Sequence, residues 1–237
     1  MNTEITLSNQ IDNTNYQFTS NVKNQLRNLS LFSEEALEWL MMEHYQFSFR
    51  NTSFLLTAVN TTKQFNEKGV SDELLRNFNE EKNHAAIYKK ALFEIGTDVD
   101  KRTEFTPTTA FFETISHLIS NCPSYTLGAM YATETAAIFE HEVFHDISNE
   151  VIKRRKHLWE KSKLKAFHDM HLNGVEQGHK DGLGMFVDIA KENYYMSHEA
   201  LSGLFIKKRE ISLGANQAIN SMTIWWDALL KHAETLK

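Results

Sequence analysis

An all-α fold, one helical domain spanning residues 1–237, is what this sequence predicts, and three observations predict it. Only two prolines and nine glycines interrupt the chain, far too little punctuation for the many turns of a sheet protein. Inward-looking residues recur at i, i+3 and i+4, as in Leu37, Leu40, Met41, His44 and Phe47, the period of a helix face. Helix start and stop signals bracket the runs that carry this period. A chain of this length buries one core without needing a second domain. No internal repeat, low-complexity tract or linker divides it.

Residues 1–20 are rich in Asn, Thr, Ser and Gln and are expected to form a flexible or docked arm, followed by a short helix near residues 21–29. Ser33, with Glu34 and Glu35 behind it, reads as an N-cap with acids set against the helix dipole, opening a helix towards Val59. Ser71-Asp72-Glu73 opens the next in the same way, and Gly96 after Ile95 stops it. Residues 97–107 are a charged connection ending at Pro107. One helix spans about 109–120 and another runs from Ser124 past Glu134 towards Glu150. Lys153, Arg154, Arg155 and Lys156 read as a solvated face or turn. A helix over 158–192 carries Gly174, Gly178, Gly182 and Gly184. Each glycine costs roughly 1 kcal/mol against alanine there, which calls for a close helix approach or a local bulge. Residues 197–237 are helical in character, with Trp225, Trp226 and Leu229 as core anchors.

Composition removes several function classes. A net charge of −6, from 25 basic and 31 acidic residues, provides no basic field for nucleic acid or an anionic membrane. No segment approaches the roughly 20 apolar residues of a membrane helix, and residues 1–30 lack a leader-like pattern. A cytoplasmic location is expected. Cys122 is the single cysteine, so no intramolecular disulfide forms and thiolate metal sites are disfavoured; with Pro123 beside it and no basic neighbour, it reads as a structural thiol.

Acid and imidazole recur at helical spacing. Glu81-x-x-His84 and Glu176-x-x-His179 lie far apart, each with a lone glutamate roughly a helix upstream, Glu43 and Glu134. Positions three apart share a helix face, so carboxylate and imidazole can reach one metal. One Glu from each of two helices and one Glu-x-x-His from each of two others is the ligand set of a di-iron or di-manganese centre in a helical bundle. A third pair, Glu142-x-x-His145, shows that single pairs arise by chance among eleven histidines. The apolar neighbours of Glu134 (Tyr131, Ala132, Ala136, Ala137, Ile138) and of His84 (Ala85, Ala86, Ile87) favour buried acids, which are costly unless paired or metal-bound. Glu43 competes with His44 for the inward face, and Glu140 is a local rival of Glu134, with His141 seven residues beyond Glu134 on the same face. His168 and His171 share the helix of Glu176 and His179.

These residues carry a resemblance. Asn77-Phe78-Asn79-Glu80-Glu81-Lys82-Asn83-His84-Ala85, running on to Glu94-Ile95-Gly96, resembles the second core helix of haem-oxygenase-like di-iron oxidases, especially the CADD-like proteins, which are related to the thiamin-degrading and quinone-cofactor-forming members of that superfamily. Gly128 to Glu134 is similar to the stretch carrying that family's next glutamate. Phe167 to His179 resembles its last ligand helix, which has a His-x3-Asp-x2-His pattern. The similarity covers roughly residues 35–235. This chain departs in having Glu176 where the family has Asp, and Leu172 rather than histidine seven residues before His179. The nearest imidazole, His171, lies one residue out of register and points about 140° from Glu176 on a regular helix. A one-residue π-bulge near Gly174 would bring the two together.

The resemblance implies a haem-oxygenase-like fold, two irons per chain (or iron with manganese), and oxygen-dependent chemistry on a small organic substrate such as an amine, amino acid or fatty acid. The metal ligands it implies are Glu81, His84, Glu134, His171, Glu176 and His179, with Glu43 from the first helix. O2 and the small molecule are then the partners, and a homodimer is left open. Phe47, Phe54, Met130, Tyr131 and Met185 are candidate pocket walls. The competing readings are a haem-oxygenase-like ligand-binding or protein-interaction domain, and a ferritin-like bundle for iron handling.

Overall fold

The computed structural model describes residues 5–190 and 206–236, and among these the regular elements are all helical. The long helix α6 (Pro123–Arg154) is the axis of the molecule. Around it pack α1 (Leu7–Gln25), α2 (Glu34–Gln64), α5 (Thr106–Ile119), α7 (Lys163–Met170), α8 (Glu176–Ile189) and α9 (Lys208–Ala233). The remaining two, α3 (Lys68–Glu81) and α4 (His84–Glu94), lie against α2 and reach α8 and α7 respectively. The core follows from this wrapping. Trp225 and Trp226 of α9, Phe111 of α5, Phe144 of α6 and Leu37 and Leu40 of α2 are all buried, and α6 is buried along most of its length.

The amino terminus departs from the expected arm. Residues from Leu7 onward are already helical, with Thr6 as a side-chain N-cap bonded to the Asn9 amide. Leu7, Ile11, Phe18 and Val22 form an apolar stripe that is buried, each contributing about 1.5–3 kcal/mol of burial before ordering costs. The polar residues between them had masked the stripe, because its spacing is carried by few large side chains. Asn15 reaches across and donates to the Ala132 carbonyl at 3.0 Å, and Ser8 bonds Asp188 through backbone and hydroxyl.

Two expected long helices are each broken, one inside the first Glu-x-x-His motif and the other just before the second. The segment expected as one helix from Ser71 to Ile95 begins earlier, at Lys68, with Ser71 buried in α3 rather than capping it. It then stops at Glu81 and restarts at His84, with Asn83 at φ −109° and ψ −7° between. In the segment expected over 158–192, α7 ends at Met170, residues His171–Val175 form a π-helical turn, and α8 follows. Gly174 sits in that turn at φ +120°, a conformation that favours glycine over any residue with a Cβ. Gly182 serves the other purpose, since a Cβ there would lie 1.8 Å from a carboxylate oxygen of Glu73. The end of that expected helix, and the start of the one expected from residue 197, lie outside the described residues.

The basic run is only partly a solvated surface. Arg154 donates to the Phe32 and Leu29 carbonyls, tying the end of α6 to the turn before α2, while Arg155 binds Glu34, Glu38 and the Ile95 carbonyl, tying it to α2 and the end of α4. Ser33 caps α2 as expected, its hydroxyl accepting from the Ala36 amide. No helix among the described residues is long and apolar enough to cross a membrane.

Candidate metal centre

Four segments bring acids and imidazoles to one buried place: the end of α3, the start of α4, the middle of α6, and the run from α7 through the π-turn into α8. Glu81, His84, Glu134, His171, Glu176 and His179 are all buried, none more than 8% exposed. His84 Nδ1 lies 2.9 Å from Glu81 Oε2 and 3.1 Å from His171 Nε2. His179 Nδ1 lies 3.1 Å from Glu134 Oε2 and 3.7 Å from Glu176 Oε2. The π-turn places His171 Nε2 3.9 Å from Glu176 Oε1, which a regular helix would not do.

Three overlapping triplets have ligand atoms within 4.8 Å of one another: Glu81, His84 and His171; His141, His171 and Glu176; Glu81, Glu176 and His179. Glu81 and Glu176 each belong to two of these, as carboxylates that bridge two metals would. The donor set is unbalanced in the way a cation would correct. Oε1 of Glu81 is buried with no hydrogen-bond partner among the described residues, and leaving such an atom unsatisfied costs on the order of 1–3 kcal/mol. All donors are carboxylate oxygen or imidazole nitrogen, the mixture that suits iron and manganese. The residues therefore fit a bound metal cation.

The electrostatics differ from end to end. Burial, then the charge of His141, drives His171 down to about 3; its Nδ1–H donates to the Phe167 carbonyl at 2.7 Å, so its Nε2 lone pair faces the cluster. Burial also works against a charged His179, but hydrogen bonds with Glu134 and Glu176 outweigh it and raise the group to about 11. Its Nε2–H donates to Glu80 Oε2 at 2.9 Å, an exposed carboxylate held in turn by Arg76. Burial pushes Glu176 up as well, yet hydrogen bonds from His141 and His179 hold it well below the usual carboxylate range. Glu134, where burial dominates, is raised.

Glu43 does not join this cluster. Its carboxylate is bound by the Arg102 guanidinium at 2.5 and 2.9 Å and by the Thr108 hydroxyl at 2.5 Å, a fully satisfied pair on another face of α2. The residue of α2 that turns towards the centre is His44, about 100° further round the helix. It stacks on Phe144 and bonds the Tyr88 hydroxyl at 3.1 Å. Burial, followed by His141 and His171, holds His44 well below its usual value. Phe47 and Phe54 pack against Phe111, Trp225 and Phe112 in the core, and Met185 is 64% exposed, so these do not wall the cluster.

His141 is the member that motif reading passed over. It presents Nε2 to Glu176 Oε1 at 3.5 Å and stacks on His171 with ring centroids 3.9 Å apart. The signal was its place seven residues after Glu134, two turns along the same face of α6. Glu140 beside it is buried and raised to about 8 by burial; Trp226 Nε1 donates to its Oε1 at 3.1 Å, and its Oε2, 4.0 Å from His44 Nε2, has no hydrogen-bond partner among the described residues. Glu142 and His145, the third Glu-x-x-His pair, face outward; Glu142 pairs with Lys23 and His145 lies near Asp146 and Asp169.

No protein-family model matches the sequence, and no curated protein matches it significantly. Solved structures do. A CADD-like protein of unknown function from Nostoc punctiforme, in two crystal structures, is 23% and 21% identical, with TM-scores of 0.77 and 0.71. The match covers 96% of this chain in both, and 96% and 94% of that one. A domain of unknown function with a haem-oxygenase-like fold from Shewanella denitrificans is 13% identical over 91% of this chain and 90% of its own, with a TM-score of 0.62. With helices in this order around a buried Glu/His cluster, the chain has the haem-oxygenase-like fold of a single all-α domain, similar in structure to CADD-like proteins.

Proposed function

We propose that the cluster holds two iron ions, or iron with manganese, and that the protein is an oxygen-dependent oxidase or oxygenase of a small organic molecule such as an amine, amino acid or fatty acid. The observation that carries this reading is the pair of shared carboxylates, Glu81 and Glu176, between buried imidazoles, with an oxygen of Glu81 left unpartnered. Glu134 and His179 would hold one ion and His84 and His171 the other, with Glu81 and Glu176 between them. Bound there, the metals supply electrons and Lewis acidity for O2 chemistry. The protein supplies enclosure. Phe167 stacks on Tyr88 with centroids 4.5 Å apart beside His84 and His171, an apolar wall on one side of that end. At the other end the His179–Glu80 bond reaches a partly exposed carboxylate, a route for a proton between cluster and solvent.

Anaerobic titration with Fe(II), followed by metal analysis and then O2 exposure with an oxygen electrode, tests the reading. Two Fe(II) per chain and oxygen uptake that accelerates with one member of an amine, amino-acid and fatty-acid panel are expected. Wild-type protein that retains no iron or manganese overturns it. Two bound irons oxidised without any substrate response point instead to iron handling.

A further inference from the structure

Behind His141 lies a chain of buried polar groups that, among the described residues, touches no acid. His141 Nδ1 is 3.1 Å from His168 Nδ1. His168 Nε2 is 3.3 Å from the Ser148 hydroxyl. That hydroxyl donates to Met41 Sδ at 3.4 Å. His168, Ser148 and Met41 are all completely buried from bulk solvent, and a thioether sulfur can accept but has no proton to return.

The direction of the chain follows. If Ser148 donates to Met41, its oxygen accepts from His168 Nε2–H. A neutral His168 with its proton on Nε2 offers a lone pair at Nδ1, which accepts from His141 Nδ1–H. A neutral His141 with its proton on Nδ1 carries its lone pair on Nε2, the atom 3.5 Å from Glu176 Oε1. In the reverse direction Met41 Sδ receives nothing and His141 presents an N–H to the cluster, a donor that satisfies Glu176 but repels a cation. With a cation taking the place of the His141–Glu176 hydrogen bond of the metal-free cluster, the direction that gives every group of the relay a partner is the one that makes His141 a ligand. We propose that His168, Ser148 and Met41 are positioning residues that hold His141 in its Nδ1–H tautomer, so that its Nε2 serves as an additional metal ligand at the His171 end of the centre.

This inference rests on the metal-binding reading above and extends it in two ways. It adds an imidazole that neither Glu-x-x-His motif contains. It also distinguishes the ends of the site: His179 is backed by an anionic, partly exposed carboxylate, whereas His141 is backed by a neutral, buried relay. Groups that orient metal-bound histidines through the second ring nitrogen typically change metal affinity by about 10–100-fold when removed.

The test uses the full chain loaded with Zn(II), a diamagnetic probe that accepts imidazole and carboxylate. Long-range proton–nitrogen NMR correlations read which nitrogen of each histidine carries the proton. Loaded wild-type protein is expected to show His141 protonated at Nδ1 with Nε2 at a metal-bound shift, and His168 protonated at Nε2. His168→Phe is expected to weaken one of the two Zn(II) positions by about 10–100-fold. His168→Gln, which can accept from His141 and donate to Ser148, restores much of that loss, and Ser148→Ala gives a smaller loss. Should His168→Phe fail to fold, the wild-type tautomers decide alone. A proton on His168 Nδ1 in the loaded protein, or His168→Phe binding both ions at wild-type affinity, overturns the relay while leaving the two-metal reading intact. Wild-type protein that binds no metal overturns both.

Discussion

The two Glu-x-x-His motifs have the same spacing and opposite constructions. Glu81 is the last residue of α3 and His84 the first of α4, so the first motif straddles a helix break, and its imidazole bonds its own acid at 2.9 Å. Glu176 and His179 lie in the opening turn of one regular helix, where the imidazole is 3.7 Å from its own acid and leans instead on Glu134 and on Glu80. In the first motif the irregularity lies inside; in the second it lies just before, in the π-turn that recovers His171. Spacing puts an acid and an imidazole on one face, but the backbone irregularity decides which third residue they meet.

The largest effect that would break this comparison is at the acids it treats as shared. Glu176→Gln is expected to abolish binding at both metal positions, because Glu176 belongs to two of the three triplets, whereas Glu134→Gln should spare the His84–His171 end. Metal analysis after anaerobic loading separates the two outcomes. Equal, partial losses in both variants would show that no carboxylate is shared.

Next in size is the π-turn. Gly174→Ala forces a side chain into φ +120° with nothing among the described residues within 4 Å of its Cβ to clash, so its cost there is backbone strain, about 1–3 kcal/mol. A melting-temperature fall of roughly 2–4 °C per kcal/mol is expected for a chain of this size, together with weaker metal binding at His171. Gly178 also has open space around it but no positive φ, so Gly178→Ala should be neutral or slightly stabilising. If thermal scans show the two alanines behaving alike, the π-turn does not depend on its glycine.

The two ends should also differ in proton release. His179, raised to about 11 between Glu134 and Glu176, carries a proton near neutrality that a metal has to displace. His171, lowered to about 3 by burial and His141, does not. The sign for stability follows: with its folded value above the usual 6.5, protonated His179 stabilises the metal-free fold fully below about 6.5, and that contribution is lost as pH rises towards about 11. Metal affinity should therefore rise with pH between these values. Calorimetry of Zn(II) uptake in buffers of different ionisation heats should show a released proton that His179→Gln removes and His171→Gln retains.

The smallest expected effect concerns Glu140, raised to about 8 by burial. A carboxyl held above its usual value of about 4.5 stabilises the fold below that value, and the contribution is lost as pH rises through about 8. Glu140→Gln, which keeps an acceptor for Trp226, should flatten the fall in melting temperature between pH 5 and 8 in metal-free protein. An unchanged slope would mean that Glu140 is already ionised in the fold.

Much of this was legible in residues. Helical period and sparse Pro and Gly determined an all-α class, Ser33 determined the start of α2, and the paired Glu-x-x-His spacings picked out Glu81, His84, Glu176 and His179, with Glu43 and Glu134 added as the glutamates upstream of each pair and His171 by the resemblance. The resemblance to the last ligand helix of the haem-oxygenase-like di-iron oxidases also implied a bulge near Gly174, because His171 is otherwise out of register. Tertiary structure decided the rest, for reasons local pattern does not contain. Glu43 and His44 are neighbours in sequence and equally eligible; the choice between them was made by Arg102 and Thr108, 59 and 65 residues away. His141 belongs to the centre because Glu176 meets its Nε2 and His168 meets its Nδ1, and α6 packs on both α7 and α8. Period and spacing are properties of one helix, and the partner of a buried charge is a property of how several helices pack.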